Sequence, residues 1–90
     1  MILKKFLKKN YWEFAGKDKI TLDVGCADGY FTLSVAPYFN KIIAIDLSKG
    51  MLKAARKFQK EKGINNGSFE EQNAHHTNFD DISFDLVYSR

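Results

Sequence analysis

The sequence predicts an α/β protein built on a doubly wound parallel sheet, and three observations carry that prediction. Apolar runs of strand length alternate with amphipathic stretches of helical period. Ile42-Ile43-Ala44-Ile45 is apolar without a break, as in a strand covered on both faces. The turn Gly25-Cys26-Ala27-Asp28-Gly29 lies between the first strand and the next helix, where open α/β sheets place their ligands.

In chain order, Leu3, Phe6, Leu7, Tyr11 and Phe14 recur at offsets of three and four with Lys4, Lys5, Lys8 and Lys9 on the other side. This spacing predicts an amphipathic helix over residues 1–16, closed by Gly16 and packed on the domain's own sheet. A basic amphipathic helix can also lie on a membrane surface, which is the second reading of this segment. Lys19 to Val24 reads as a short strand that runs into the glycine turn. Phe31, Leu33, Val35 and Ala36 mark a short helix from Tyr30 to about Phe39. Pro37 is confined to its last turn, because a proline in a helix interior costs about 3 kcal/mol. The strand Ile42 to Ile45 closes on Asp46, and its parallel pairing with the first strand requires such a crossover helix.

Ser48 is placed to cap the next helix, with Met51, Leu52, Ala55 and Phe58 as its buried stripe and Gly63 as its end. Gly67 to Gln72 is assigned as a strand from the alternation before it, since Phe69 alone is strongly apolar there. A polar loop with Asn73, His75, His76, Asp80 and Asp81 leads to a well-marked strand, Phe84 to Tyr88. Neither an internal repeat nor a low-complexity stretch interrupts the pattern.

Composition bounds the function classes. Ninety residues make one small domain, and with 44% hydrophobic and 28% charged residues the chain is too apolar for a disordered tail. No run approaches the roughly 18 apolar residues of a membrane helix, and the lysine-broken opening carries no cleavage site, so the expected setting is cytoplasmic, with no membrane partner. A lone Cys26 makes neither an intrachain disulfide nor a cysteine-based zinc site. The net charge of +3 is uneven: residues 1–62 hold thirteen Lys/Arg against six Asp/Glu, and residues 63–90 hold one against five. The lysines sit opposite apolar residues at helical spacing, which favours a solvated surface over a nucleic-acid face. A small basic nucleic-acid-binding module is kept as an alternative.

The chemistry is expected just after the first two strands. Gly25 lets the chain turn and exposes bare backbone to a ligand, and Gly29 relieves packing where the helix meets the sheet. Asp46, 21 residues beyond Gly25, is spaced to accept hydrogen bonds from the ribose hydroxyls of an adenosine. The dinucleotide fingerprint G-x-G-x-x-G does not fit, because Ala27 and Tyr30 stand at its second and third glycines. Asp23 and Asp28 flank the turn, and no Lys, Arg or His occurs between Lys19 and Lys41 to offset them. Two like charges about 4 Å apart repel by roughly 4 kcal/mol at an effective dielectric of 20, which opposes a pyrophosphate. A sulfonium and an ammonium suit this turn better, and S-adenosylmethionine carries both. An NAD-type dinucleotide-binding oxidoreductase fragment is the other alternative.

On these residues the chain resembles the class I S-adenosylmethionine-dependent methyltransferases, and among them the small-molecule group. The family's first motif, D/E-x-G-x-G-x-G, is matched by Asp23, Gly25, Ala27 and Gly29, with alanine for the middle glycine. The resemblance implies a Rossmann-like sheet of strand order 3-2-1-4 and a transferase that methylates a small-molecule acceptor. It further implies that Asp23 and the backbone of Gly25 hold the methionine end, with Cys26, Ala27 and Gly29 on the same cofactor-binding turn. Asp46 would take the ribose, and Leu47 would lie against adenine. Where the family has an aspartate for the adenine amino group, this chain has Asn73, followed by Ala74; the neutral acceptor makes a weaker bond. Asp80 to Val87 resembles the approach to the family's fourth strand, so the likeness runs from about Leu22 to Arg90.

Each of these residues has a plainer reading. Asp46 also suits a cap for the helix near Ser48, Asp23 a structural loop acid, and Asp28 a helix N-terminal charge. Adjacent His75 and His76 have no ligand partner at metal spacing and are read as surface residues. Cys26 is given no nucleophilic role. The family's domain continues past its fourth strand, so residues 1–90 are expected to be a front half, completed by further chain or by a second chain. No catalytic residue is assigned, since no general base is recognisable.

Overall fold

The computed structural model describes residues 2–3, 16–73 and 83–89. Its elements are β1 (Ile2–Leu3), β2 (Gly16–Val24), α1 (Tyr30–Val35), a 3-10 turn (Ala36–Tyr38), β3 (Phe39–Asp46), α2 (Lys49–Lys62), β4 (Gly67–Glu71), β5 (Ser83–Phe84) and β6 (Leu86–Ser89). Four strands form one parallel sheet in the order β4-β3-β2-β6, which is the predicted 3-2-1-4, and β1 pairs with β5 separately.

The apolar run that predicted a central strand lies in the middle of this sheet. Ile42 to Ile45 face Thr21 to Val24 on one side and Gly67 to Glu70 on the other. Side chains alternate between the two faces of a strand. Ala44 accordingly joins Cys26, Leu33, Leu52, Ala55 and Phe69 in the core under the helices, while Ile43 and Ile45 join Leu22, Phe84 and Val87 in a separate cluster. Both faces of β3 are buried, which explains why its sequence shows no polar alternation.

Several boundaries differ from the sequence expectation. Ile2 and Leu3 are extended in a parallel pair with Ser83 and Phe84, so the helix expected over residues 1–16 does not include them; residues 4–15 lie outside the described residues. Gly16 opens β2 and pairs with Phe39, with a register shift before Ile20, instead of closing a helix. The helix expected to reach Phe39 ends at Val35 and tightens into the 3-10 turn. Pro37, which lacks an amide donor, occupies its first turn.

The last predicted strand is split at Asp85, which clamps Ile20: its amide donates to the Ile20 carbonyl at 2.8 Å and its carboxylate accepts from the Ile20 amide at 2.9 Å. Met51, expected in the buried stripe of α2, is 45% exposed. The stripe centres on Leu52 and Ala55, and a neighbouring position lies about 100° round the helix. Ser48 does cap α2, its hydroxyl accepting from the Met51 amide at 3.2 Å, and Gly63 closes it. Among the described residues, no helix is long and apolar enough to cross a membrane.

Candidate functional site

The carboxyl ends of β2, β3 and β4 open onto a cavity of about 310 Å³. Val24 and Gly25 form one wall, Ile45, Asp46 and Leu47 the floor and rim, and Gln72 and Asn73 the far side. The residues are brought together by the sheet itself, since the three strands are adjacent and end level with one another.

The turn after β2 is fastened to β3 by a single carbonyl. The amides of Gly25 and Cys26 both donate to the Ile45 oxygen, at 2.9 and 3.1 Å. Gly25 has a φ of 75°, and a Cβ built there meets nothing within 4 Å, so bare backbone faces open space beside the cavity. Gly29 also has a positive φ, 79°, but its surroundings are closed: a Cβ would meet Ala55 at 2.8 Å and Phe69 at 2.9 Å. The first glycine thus leaves its backbone open to the cavity side, and the last serves close packing of α1 against α2 and β4.

Asp46 is half-buried and holds two loops at once. One carboxylate oxygen accepts from the Ala27 amide at 2.8 Å and the other from the Ser48 amide at 2.9 Å. The two readings made from sequence are therefore compatible, because an ionised carboxylate offers about four acceptor positions and two are taken by backbone. Leu47 stands at the rim, 64% exposed. Across the cavity the Gln72 amide donates to the Asp46 carbonyl at 3.2 Å, while the Gln72 side-chain nitrogen donates to Glu70 at 2.8 Å.

Other expected residues lie elsewhere. Asp23 is fully buried and does not line the cavity; its carboxylate accepts from the Thr32 hydroxyl at 2.5 Å and the Tyr88 hydroxyl at 3.0 Å. Cys26 is buried in the core with Leu33, Ala44 and Leu52. Asp28 is exposed and accepts from the Tyr30 amide at 3.2 Å, the helix N-terminal position read from the sequence. Ala74, His75 and His76 lie outside the described residues. Gln72, Val24 and Ile45 were not singled out from sequence. Gln72 precedes Asn73 at the end of a strand, and that adjacency was the available signal.

The cavity suits the nucleoside group implied by the sequence. Among the described residues its lining supplies a carboxylate with unused acceptor positions, exposed glycine backbone and apolar side chains, and includes no Lys, Arg or His to hold a phosphate.

Comparison with known proteins agrees. Residues 21–90 match the model of a family described as a methyltransferase domain. An uncharacterized methyltransferase of Bacillus subtilis (strain 168), YcgJ, is 36% identical over 69 residues, which are 77% of this chain and 27% of YcgJ. The YcgJ crystal structure superposes with a TM-score of 0.80 at 33% identity, covering 84% of this chain and 32% of that one. The probable S-adenosylmethionine-dependent methyltransferase CRG1 of Saccharomyces cerevisiae is 41% identical over 49 residues, 54% of this chain and 17% of CRG1. An S-adenosylmethionine-dependent methyltransferase structure from Clostridium acetobutylicum superposes with a TM-score of 0.71 at 28% identity, covering 78% of this chain and 28% of that one. The matched part of the chain thus spans only 27% and 17% of the length of these two curated relatives. With the sheet order, the glycine turn and the family match all in agreement, this chain belongs to the methyltransferase domain family, in its class I, Rossmann-like form.

Proposed function

We propose that the chain binds S-adenosylmethionine and forms the donor-binding part of a methyltransferase that acts on a small molecule. The observation that supports this most is the cavity at the strand ends, where Asp46, Gly25 and Leu47 meet within the family-matched residues. In this reading Asp46 accepts from the ribose hydroxyls with the acceptor positions left by Ala27 and Ser48. Leu47 and Ile45 give the adenine an apolar bed, and Asn73 supplies a neutral acceptor toward its amino group. The backbone from Gly25 to Ala27 takes the methionine end, and Asp23 fixes the turn from behind. Bound there, the sulfonium supplies an activated methyl group for in-line displacement by an acceptor atom. The chain's own contribution is orientation and exclusion of water at the donor. The cytoplasmic setting and the completion of the domain by further strands belong to the same proposal.

Calorimetric titration of the 90-residue chain with S-adenosylhomocysteine and, separately, with NADH tests the reading. Saturable heat with S-adenosylhomocysteine alone is the expected result. Binding of NADH alone would replace it with the oxidoreductase reading, and salt-sensitive binding of duplex DNA without either ligand would replace it with the basic module.

A further inference from the structure

Asp23 is the acid that opens the family motif, yet its side chain is turned away from the cavity. It lies opposite Tyr88 in the β2–β6 register, so both side chains leave the sheet on the same face. Thr32 of α1 meets them there, and all three residues are 0–1% exposed. The carboxylate accepts from both hydroxyls through one oxygen, Thr32 at 2.5 Å and Tyr88 at 3.0 Å. Burying a carboxylate is costly unless donors replace its water, and an apolar trio of similar volume is often at least as stable. Stability alone therefore gives little reason for this arrangement.

Position does give one. Asp23 lies two residues before Gly25, and Thr32 lies three after Gly29, so the bond between them spans the turn from stem to stem. The β3 side of the turn is already fixed by the Ile45 carbonyl. Tyr88 fixes the other side from the neighbouring strand, and its ring stands edge-on to Phe31 of α1, with centroids 5.7 Å apart at 80°.

We infer that Thr32 and Tyr88 are positioning residues for the donor site: by donating their hydroxyls to Asp23 they hold both stems of the Gly25–Gly29 turn at the spacing its exposed backbone needs to receive the ligand. The inference rests on the S-adenosylmethionine reading above. It also places the selectivity of the turn in its backbone, with Asp23 acting through geometry and not by touching the ligand.

The test uses the full chain with Tyr88→Phe, Thr32→Val and Thr32→Ser, reading S-adenosylhomocysteine affinity by calorimetry and amide hydrogen exchange without ligand. Tyr88→Phe keeps the ring contact and removes only the hydroxyl. Tyr88→Phe and Thr32→Val are each expected to weaken binding about tenfold, the size of one lost hydrogen bond to a charged group. They should also speed exchange at Gly25 and Cys26 about tenfold more than at Ile43 and Ala44 of β3. Thr32→Ser retains the donor and should stay within about twofold of the parent chain.

Unchanged affinity in Tyr88→Phe, or exchange that rises equally in the turn and in β3, overturns the inference and leaves the hydroxyls as general stabilisers. If Thr32→Val does not fold, Tyr88→Phe decides alone. If the parent chain itself gives no heat with S-adenosylhomocysteine, the cofactor reading falls, and the turn-against-strand exchange comparison still decides whether the hydroxyls anchor the turn.

Discussion

Ala27 and Asp46 hold each other in place. Ala27 has a φ of 53°, the left-handed region that side chains disfavour, and its amide donates to the Asp46 carboxylate at 2.8 Å. The residue that departs from the family's glycine pattern therefore keeps the glycine-like backbone, and the ribose-spaced acid is the group that secures it.

Ala27→Gly should raise stability by about 0.5–1 kcal/mol. A left-handed alanine costs roughly 1–2 kcal/mol, and glycine's extra unfolded-state entropy returns part of that. Denaturant midpoints at constant slope measure the change; a loss of stability would show that the alanine methyl packs usefully.

Asp46→Ala is expected to weaken S-adenosylhomocysteine binding by about 1–3 kcal/mol, since a hydrogen-bonded charge is lost and the Ala27 and Ser48 amides lose their acceptor. Asp46→Asn, which retains one oxygen, should fall between. Affinity equal to the parent chain in both would leave Asp46 as a loop clamp alone.

Gly29→Ala should be the most damaging of these changes. Its methyl would arrive 2.8 Å from Ala55 and 2.9 Å from Phe69, with neither able to retreat from the core. Overpacking and a positive φ together suggest a loss of about 2–4 kcal/mol, read by thermal or chemical unfolding. Gly25→Ala, with nothing within 4 Å, should cost only the backbone share and is the matched control.

Ser48→Ala removes the cap of α2, where the hydroxyl accepts from the Met51 amide. The expected cost is about 1 kcal/mol. Because Ser48 also donates its own amide to Asp46, which the substitution leaves intact, ligand affinity should change far less than stability.

The sheet was legible because β3 is buried on both faces and therefore writes an unbroken apolar run, and because Ser48 and Gly63 mark the ends of α2 by local chemistry that needs no tertiary context. Boundaries failed where tertiary pairing outweighed local preference: Gly16, a plausible helix end, is drawn into β2 by Phe39, and Asp85 breaks a good strand pattern by clamping Ile20. At the site, Gly25 and Asp46 were readable from spacing, while Leu47 and Asn73 were marked only by the family resemblance. Asp23 was not, because period-2 geometry fixes the face a strand residue occupies but does not say whether ligand or helix lies over it. The Thr32 and Tyr88 partners sit nine and 65 residues away in sequence and carry no local signal.

Every described residue around the cavity comes from three neighbouring strands, β2, β3 and β4, and the segments directly after them. Among the described residues, the outer strand on the opposite flank, β6, supplies no wall; it bears on the cavity through its pairing with β2, where Ser89 lies opposite Val24, and through the Tyr88 hydroxyl on Asp23. A change in β6 would therefore be felt at the cavity through β2 and the stem of the Gly25–Gly29 turn, although no described β6 side chain lines it.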